Sequence, residues 1–302
     1  MFSAEKIPRI IAIAESILAN LIWASTLIFV KGSIDQIAPL TFAGLRFFIG
    51  FLVLLPFVLS RWKKIPKISG VLWARLWVIG LSTYTFGNGA LFWAMKYLSA
   101  TTASLLLSFL PILVMLAGVI WLNEKPTRGQ LLGMLITIGG CVIFFSQGKH
   151  ALNWIGLLIM AISILSYVAF SVVGRAVARD RQMDTLTLTA IPLGLGSVVL
   201  LMIALPLEGI PTISLQTAGV IIWLAVVNTA IAYAIYYHSL QQLTAFEQNV
   251  IFNISPLSTV LLAWIFLGER ISSVQIAGMF VVVFGVFLVQ QLRATVVEVV
   301  NK

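Results

Sequence analysis

The chain has 302 residues, 60% of them apolar, and its charge is carried by 19 Lys and Arg and 10 Asp and Glu, together 10% of the sequence. Soluble domains carry about 25% charged residues, so a water-soluble fold is excluded and a polytopic membrane protein remains. Cys141 is the single cysteine, and His150 and His238 are the two histidines, which excludes a disulfide framework and argues against a Cys- or His-based metal site.

A spanning helix needs about 20 mostly apolar residues, and ten such stretches follow one another. The first, 10–30, carries Glu15, Ser16, Asn20 and Trp23; its length and polar residues, with no small-residue cleavage site, mark a retained helix rather than a signal peptide. The second, 40–60, holds Arg46 about 9 Å inside its outer end. The third, 73–95, aligns Tyr84 and Asn88 on one face, and the fourth, 98–122, aligns Ser104, Ser108 and Pro111. The fifth, 129–147, carries Gly133, Gly139 and Gly140, small residues that let helix backbones approach closely, as do Gly278 and Gly285 later. The sixth, 154–174, aligns Ser163, Tyr167 and Ser171; the seventh covers 185–207. The eighth, 216–240, aligns Thr229, Tyr233 and Tyr237 and ends near His238. The ninth, 243–267, carries Glu247, Asn249, Asn253 and Pro256, and the tenth covers 273–292.

With the N-terminus in the cytoplasm, the inner segments carry 14 basic residues, among them Arg9, Lys63, Lys64, Arg128, Arg175 and Arg181, while the outer loops hold Lys31, Lys96, Lys149 and Arg270. This asymmetry places both termini inside by the positive-inside rule. The net charge of +9 is thus topological, and no nucleic-acid partner is expected.

Residues 98–145 match themselves 145 positions later without a gap: Leu98, Ala100, Pro111, Leu116, Ile120, Leu122, Glu124, Gln130, Gly133, Met134 and Gly140 fall on Leu243, Ala245, Pro256, Leu261, Ile265, Leu267, Glu269, Gln275, Gly278, Met279 and Gly285. Leucines coincide by chance in apolar segments, but Pro, Glu, Gln and two Gly at fixed spacing do not. A repeat of five helices, an odd number of crossings, leaves the second copy upside down. The expectation is an all-α integral membrane fold of ten transmembrane helices in two inverted five-helix repeats, 1–147 and 148–302. Inverted repeats of this kind build secondary transporters whose substrate site lies near the midplane between the halves.

Pro111, Leu122-Asn123-Glu124-Lys125, Gln130 and Gly133, with the second copy Pro256, Leu267-Gly268-Glu269-Arg270, Gln275 and Gly278, resemble the EamA-type repeat of the drug/metabolite transporter superfamily. Asn20-Leu21-Ile22-Trp23-Ala24-Ser25 with Lys31, and Leu45-Arg46-Phe47, extend the resemblance to nearly the whole chain. Asn123 stands where the family usually has glycine. The resemblance implies a multi-pass permease of bacterial inner membranes, often an exporter of amino acids and related metabolites, with the YddG-like amino-acid exporters the favoured subgroup.

Polar side chains inside spans usually face protein or a cavity. The 145-residue shift carries Ser104, Ser108 and Pro111 onto Asn249, Asn253 and Pro256, so two equivalent helices present equivalent polar stripes. A shift of 144 residues carries Trp23 onto Tyr167 and Lys31 onto Arg175. The expected substrate-binding residues are Trp23, Arg46, Tyr84, Asn88, Ser108, Tyr167, Tyr233, Tyr237, Asn249 and Asn253; the alternative for each is packing or helix-to-helix glue. Arg46 either clamps helices or captures a substrate carboxylate. Trp62, Trp73, Trp121 and Trp154 near span ends read as interfacial anchors. Glu15, Glu247 and His238 are candidates for proton coupling, with snorkelling to the interface as the alternative for the two acids. Glu124 and Glu269 read as caps of the following helix.

The sequence holds no GxxxxGK[ST], no HExxH and no nucleophile elbow with a partner histidine. An enzyme, ATP drive, a metal and a cofactor are therefore not expected. The reading is a secondary transporter of a small metabolite, amino acids foremost, working in the lipid bilayer as a monomer or weak homodimer. A multidrug or quaternary-cation carrier is the second reading, and a channel or membrane scaffold the third.

Overall fold

The computed structural model describes residues 8–31, 37–61, 68–94, 96–98, 103, 106–146, 153–180, 183–255, 257–258 and 272–300. All regular structure among them is helical. Helices α1 (Arg9–Lys31), α2 (Pro39–Arg61), α3 (Gly70–Gly80, π-helical Leu81–Asn88, then Gly89–Ala94), α4 (Leu110–Ala117, then π-helical Gly118–Leu122) and α5 (Arg128–Phe145) form the first half. Helices α6 (Trp154–Asp180), α7 (Thr185–Glu208), α8 (Leu215–Trp223, π-helical Leu224–Ile231, then Ala232–Ser239), α9 (Ala245–Phe252) and α10 (Ser273–Val300) form the second. Seven described helices are long and apolar enough to cross a membrane, and Leu110–Leu122 is a shorter apolar one.

Helix starts follow from short polar side chains that take up the orphan N–H groups of a first turn. Ser69, Asp184 and Ser214 each accept from the backbone N–H three residues on, opening α3, α7 and α8. Thr127 with Gln130, and Thr244 with Glu247, make reciprocal capping boxes at α5 and α9. At the end of α4, Asn123 adopts φ 55° and returns its N–H to Gly118 O. Asparagine tolerates that left-handed conformation, so the turn forms without a glycine.

The helices pair across a pseudo-two-fold axis. α5 packs on α10 and α2 on α7, each helix against its own copy, while α1 packs on α8 and α6 on α3, the first helix of each half against the third of the other. The pairing is antiparallel. A Cβ on Gly133 would lie 3.0 Å from Gly285 O, and one on Gly140 3.0 Å from Gly278 O, so the early part of α5 meets the later part of α10 and the reverse. Likewise Gly44 faces Leu201 while Gly194 faces Phe51 between α2 and α7. The two halves are therefore inverted copies. Gly139, expected to serve the same close packing, has nothing within 4 Å of a Cβ built on it.

Two expected spans are not continuous. The fourth breaks at Ser108 and Phe109 before α4 begins, and α9 ends at a turn on Asn253. Each break lies three residues before a proline, Pro111 and Pro256. Proline lacks the N–H of the helical ladder and its ring crowds the preceding turn, and Pro111 instead sits in the first turn of α4, where that N–H is not needed.

Candidate functional site

A cavity opens between the two breaks. Its wall takes Trp23 and Thr26 from α1, Arg46 from α2, Asn88, Leu91 and Phe92 from α3, Leu107, Ser108 and Leu110 at the start of α4, Tyr167, Phe170 and Ser171 from α6, Tyr233 and Tyr236 from α8, and Gln248, Asn249, Phe252, Asn253 and Ser255 from α9 and just beyond. Helices α5, α7 and α10 contribute none of this lining and stand outside as scaffold. Broken helices tolerate loss of backbone hydrogen bonds where they border a polar cavity, and broken helices near the midplane are where transporters of inverted repeats bind their cargo.

Two contacts place the cavity on the symmetry axis. Asn253 Nδ2 donates to Ser108 O at 3.3 Å, and Asn88 Nδ2 to Tyr233 OH at 3.5 Å. In both pairs the partners are one repeat, 145 positions, apart. A residue can touch its own copy only at the axis, so the cavity wall belongs equally to the two halves.

Arg46 is buried on this wall, 4% exposed. Its Nε donates to Thr229 Oγ1 at 3.0 Å and its Nη2 to Asn228 O at 3.3 Å, while the guanidinium carbon stands 5.2 Å from the Phe47 ring centroid. Among the described residues Arg46 has no carboxylate partner, and no Asp or Glu lines the cavity. Both a clamp on α8 and a cation facing the cavity are thus present in one side chain. Three further polar groups bear on the wall. Asn249 Nδ2 is held by Ser171 Oγ and Ala245 O at 3.0 and 2.8 Å; Gln248 Nε2 and Asn253 Oδ1 are buried without a hydrogen-bond partner.

The remaining wall is aromatic. Trp23 lies 5.0 Å from Tyr233, 5.4 Å from Tyr236 and 6.4 Å from Phe252, centroid to centroid, with its Nε1 donating to Asn228 O at 2.9 Å. Phe170 stacks on Tyr236 at 5.5 Å and 22°.

Of the ten side chains expected to bind substrate, Trp23, Arg46, Asn88, Ser108, Tyr167, Tyr233, Asn249 and Asn253 lie on the wall. Tyr84 and Tyr237 do not, which corrects their expected placement: both are fully buried behind it, Tyr84 against Phe47 and Tyr233, Tyr237 against Phe170 and Tyr236. The reason for Tyr84 is local geometry. It sits in the π-helical stretch Leu81–Asn88 of α3, where the backbone closes a turn over five residues instead of four, so positions four apart no longer superpose. On α8 the cavity takes Tyr236, three residues from Tyr233, instead of Tyr237, four away.

The coupling candidates lie off the wall, at the end of the molecule where α1 begins. Glu247 is fully buried rather than snorkelling: it receives Arg9 Nη2 at 2.8 Å, Gln130 Nε2 at 3.2 Å and the Thr244 N–H at 2.9 Å. Its carboxylate is committed to capping α9 and tying it to α1 and α5. Glu15 and His238 form a half-buried pair, with Nδ1 to the two carboxylate oxygens at 2.8 and 2.9 Å, joining α1 to α8. Glu124 does not cap the helix that follows it, where Thr127 does so. It accepts from Arg175 Nε at 2.9 Å and from the Ala245 N–H at 3.3 Å, capping α9 across the halves, and Arg175 Nη1 donates to Leu240 O. Three polar clasps, Arg9–Glu247, His238–Glu15 and Arg175–Glu124, therefore tie one half to the other at this end.

Thr26, Phe170, Tyr236, Gln248 and Phe252 belong to the wall and escaped the sequence reading. The signal for Gln248 was available, since it precedes Asn249 in a short run of polar residues inside a span; the apolar ones carry no signal that separates them from core. Trp73, Trp121 and Trp154 are exposed on the flanks. Trp62, Ser104, Pro256, Gly268, Glu269 and Arg270 lie outside the described residues.

The EamA-like transporter family matches residues 10–146 and again residues 154–290. An uncharacterized transporter of Archaeoglobus fulgidus is 28% identical over 279 residues, covering 90% of this chain and 94% of the relative. The uncharacterized transporter YoaV of Bacillus subtilis is 25% identical over 276 residues, with 89% and 93% covered. The uncharacterized inner membrane transporter YedA of Escherichia coli is 26% identical over 273 residues, with 89% and 87% covered. A solved crystal structure shares the fold at a TM-score of 0.79 with 19% identity, covering 93% of this chain and 98% of its own.

Proposed function

The chain belongs to the EamA-like transporter family, and from that premise we propose that it carries amino acids outward across the bacterial inner membrane by alternating access. The two halves, 1–147 and 148–302, rock so that the cavity on their shared axis faces one side at a time. Both termini are cytoplasmic, as the distribution of basic residues favours, and an Escherichia coli relative is named an inner membrane transporter.

The observation that carries the choice of cargo is Arg46. A buried guanidinium with no acid among the described residues of the surrounding wall is costly to keep in a low-dielectric site. A substrate carboxylate relieves that cost with charge-assisted hydrogen bonds, while the aromatic and apolar remainder of the wall receives the rest of a small amphipathic solute. The Trp23, Tyr233, Tyr236 and Phe252 cluster gives a specific reason for the second reading, a quaternary-cation carrier, through cation–π contacts. Coulomb repulsion from an uncompensated Arg46 opposes it. Proteoliposomes offered a panel of radiolabelled amino acids and, in parallel, tetraphenylphosphonium separate the two. Saturable amino-acid flux with no cation flux supports the proposal, and the reverse pattern refutes it.

A further inference from the structure

We infer that Asn228 is a positioning residue for substrate recognition, the node that holds Arg46 and Trp23 in place on the cavity wall and thereby sets a preference for carboxylate-bearing solutes. The inference rests on the carboxylate reading of Arg46 above. Asn228 is fully buried and lies in the π-helical stretch of α8, behind the wall rather than on it.

Its two functional groups work in opposite directions. The side-chain NH2, with two hydrogens to give, faces three acceptors in one turn of α1, Ile22 O at 2.6 Å, Ser25 Oγ at 3.0 Å and Thr26 Oγ1 at 2.9 Å, while its Oδ1 is buried without a partner. The backbone carbonyl, with two lone pairs, accepts from Trp23 Nε1 at 2.9 Å and from Arg46 Nη2 at 3.3 Å. The neighbouring Thr229 completes the mount: its hydroxyl donates to Leu224 O at 3.1 Å and so presents its oxygen to Arg46 Nε at 3.0 Å. Two nitrogens of the guanidinium are thus fixed from behind, which orients its plane and leaves Nη1, unbonded among the described residues, as the edge available to a ligand. Three helices, α1, α2 and α8, meet at this one asparagine. π-Helical stretches are frequent at functional sites, and here the stretch carries the two residues that orient the cation.

The test is a competition assay on the purified full-length protein in detergent, with radiolabelled L-leucine as the probe and L-leucinamide, which lacks the carboxylate, as the competitor. Wild type is expected to prefer leucine by tenfold or more, the size of one charge-assisted hydrogen bond. Asn228→Ala should weaken leucine about tenfold while leucinamide changes less than about twofold, so that the preference collapses. Asn228→Ser, which keeps a short donor, replaces it if the alanine variant does not reach the membrane, with a preference reduced about threefold or more. A preference that persists in these variants, or an equal loss of both ligands, overturns the positioning role while leaving the carboxylate reading standing. A wild type that binds neither ligand, or both alike, overturns the carboxylate reading and this inference with it.

Discussion

The α5–α10 seam and the crossing of the fourth span with the ninth are each made by a stretch of chain and its own copy 145 residues away, yet one is closed and the other hollow. In the seam, a Cβ on Gly140 would sit 2.7 Å from Val282 N and one on Gly278 2.7 Å from Phe144 N, so backbones touch along two uninterrupted helices. At the crossing, the fourth span and α9 break before their prolines, and Ser108 and Asn253 meet across the axis beside a cavity. The difference teaches that the two-fold relation decides which helices meet, while a few residues per helix decide whether the meeting is scaffold or site. Glycines give a surface that packs, even in α2 and α7, which carry Pro56, Pro192 and Pro206 without breaking; at the crossing a proline beside hydroxyl and amide side chains accompanies an interruption that neighbours or cargo must satisfy.

Breaking the seam should have the largest effect. Gly140→Leu forces a side chain into the Val282 backbone, which cannot rotate away, and is expected to cost about 3 kcal/mol of stability, read as a lower midpoint in a detergent unfolding titration. A wild-type midpoint would show that the seam yields.

Opening the clasped end comes next. Glu124→Gln replaces the carboxylate that pairs with Arg175, 7% exposed at its side chain, and weakening a buried ion pair costs about 3 kcal/mol or more. Here part of that loss should appear as motion. Ser171→Cys in a Cys141→Ser background should react faster with a membrane-impermeant maleimide added from the Arg175 side once Glu124→Gln is present. Unchanged reactivity would mean that this clasp does not close the end.

At the crossing, Asn253→Leu removes the axial hydrogen bond and one polar group of the wall. Transport should fall about tenfold, the size of one net hydrogen bond to a cargo, with thermal stability close to wild type. A loss of folded protein sufficient to explain the lost transport would make Asn253 helix glue.

The smallest structural effect is expected at the half-exposed pair of Glu15 and His238. Exposed ion pairs contribute about 0.5 kcal/mol, so Glu15→Gln should fold normally. If Glu15 carries the coupling proton, the functional consequence is that any stimulation of transport by a proton gradient disappears while substrate exchange continues. Gradient dependence that survives the substitution removes Glu15 from coupling.

The seam and the crossing also differ in how legible they were. Gly133, Gly140, Gly278 and Gly285 announce close packing by identity and spacing alone, whereas the interruptions near Pro111 and Pro256 do not stand out, because Pro56, Pro192 and Pro206 lie inside continuous helices. The inversion follows from counting helices between copies. Which side chains face the cavity is harder to read, because helical spacing assumes 3.6 residues per turn and the stretches Leu81–Asn88 and Leu224–Ile231 depart from it. Tyr84 is misplaced for that reason. Asn228 and Glu124 act on helices remote in sequence, α1 and α9, and no local pattern encodes a partner 206 or 121 residues away. Glu247 reads as a lone acid near a span end until its cap, Arg9 and Gln130 are brought together by the tertiary fold.

The central claim, that the axial cavity receives a carboxylate at Arg46, is tested most directly by equilibrium binding of radiolabelled amino acids to wild type and to Arg46→Gln, each shown to be folded by its unfolding midpoint. Saturable binding in wild type that weakens by about a hundredfold in Arg46→Gln, the size of a charge-assisted pair, is the predicted result. Undiminished affinity in folded Arg46→Gln would contradict it.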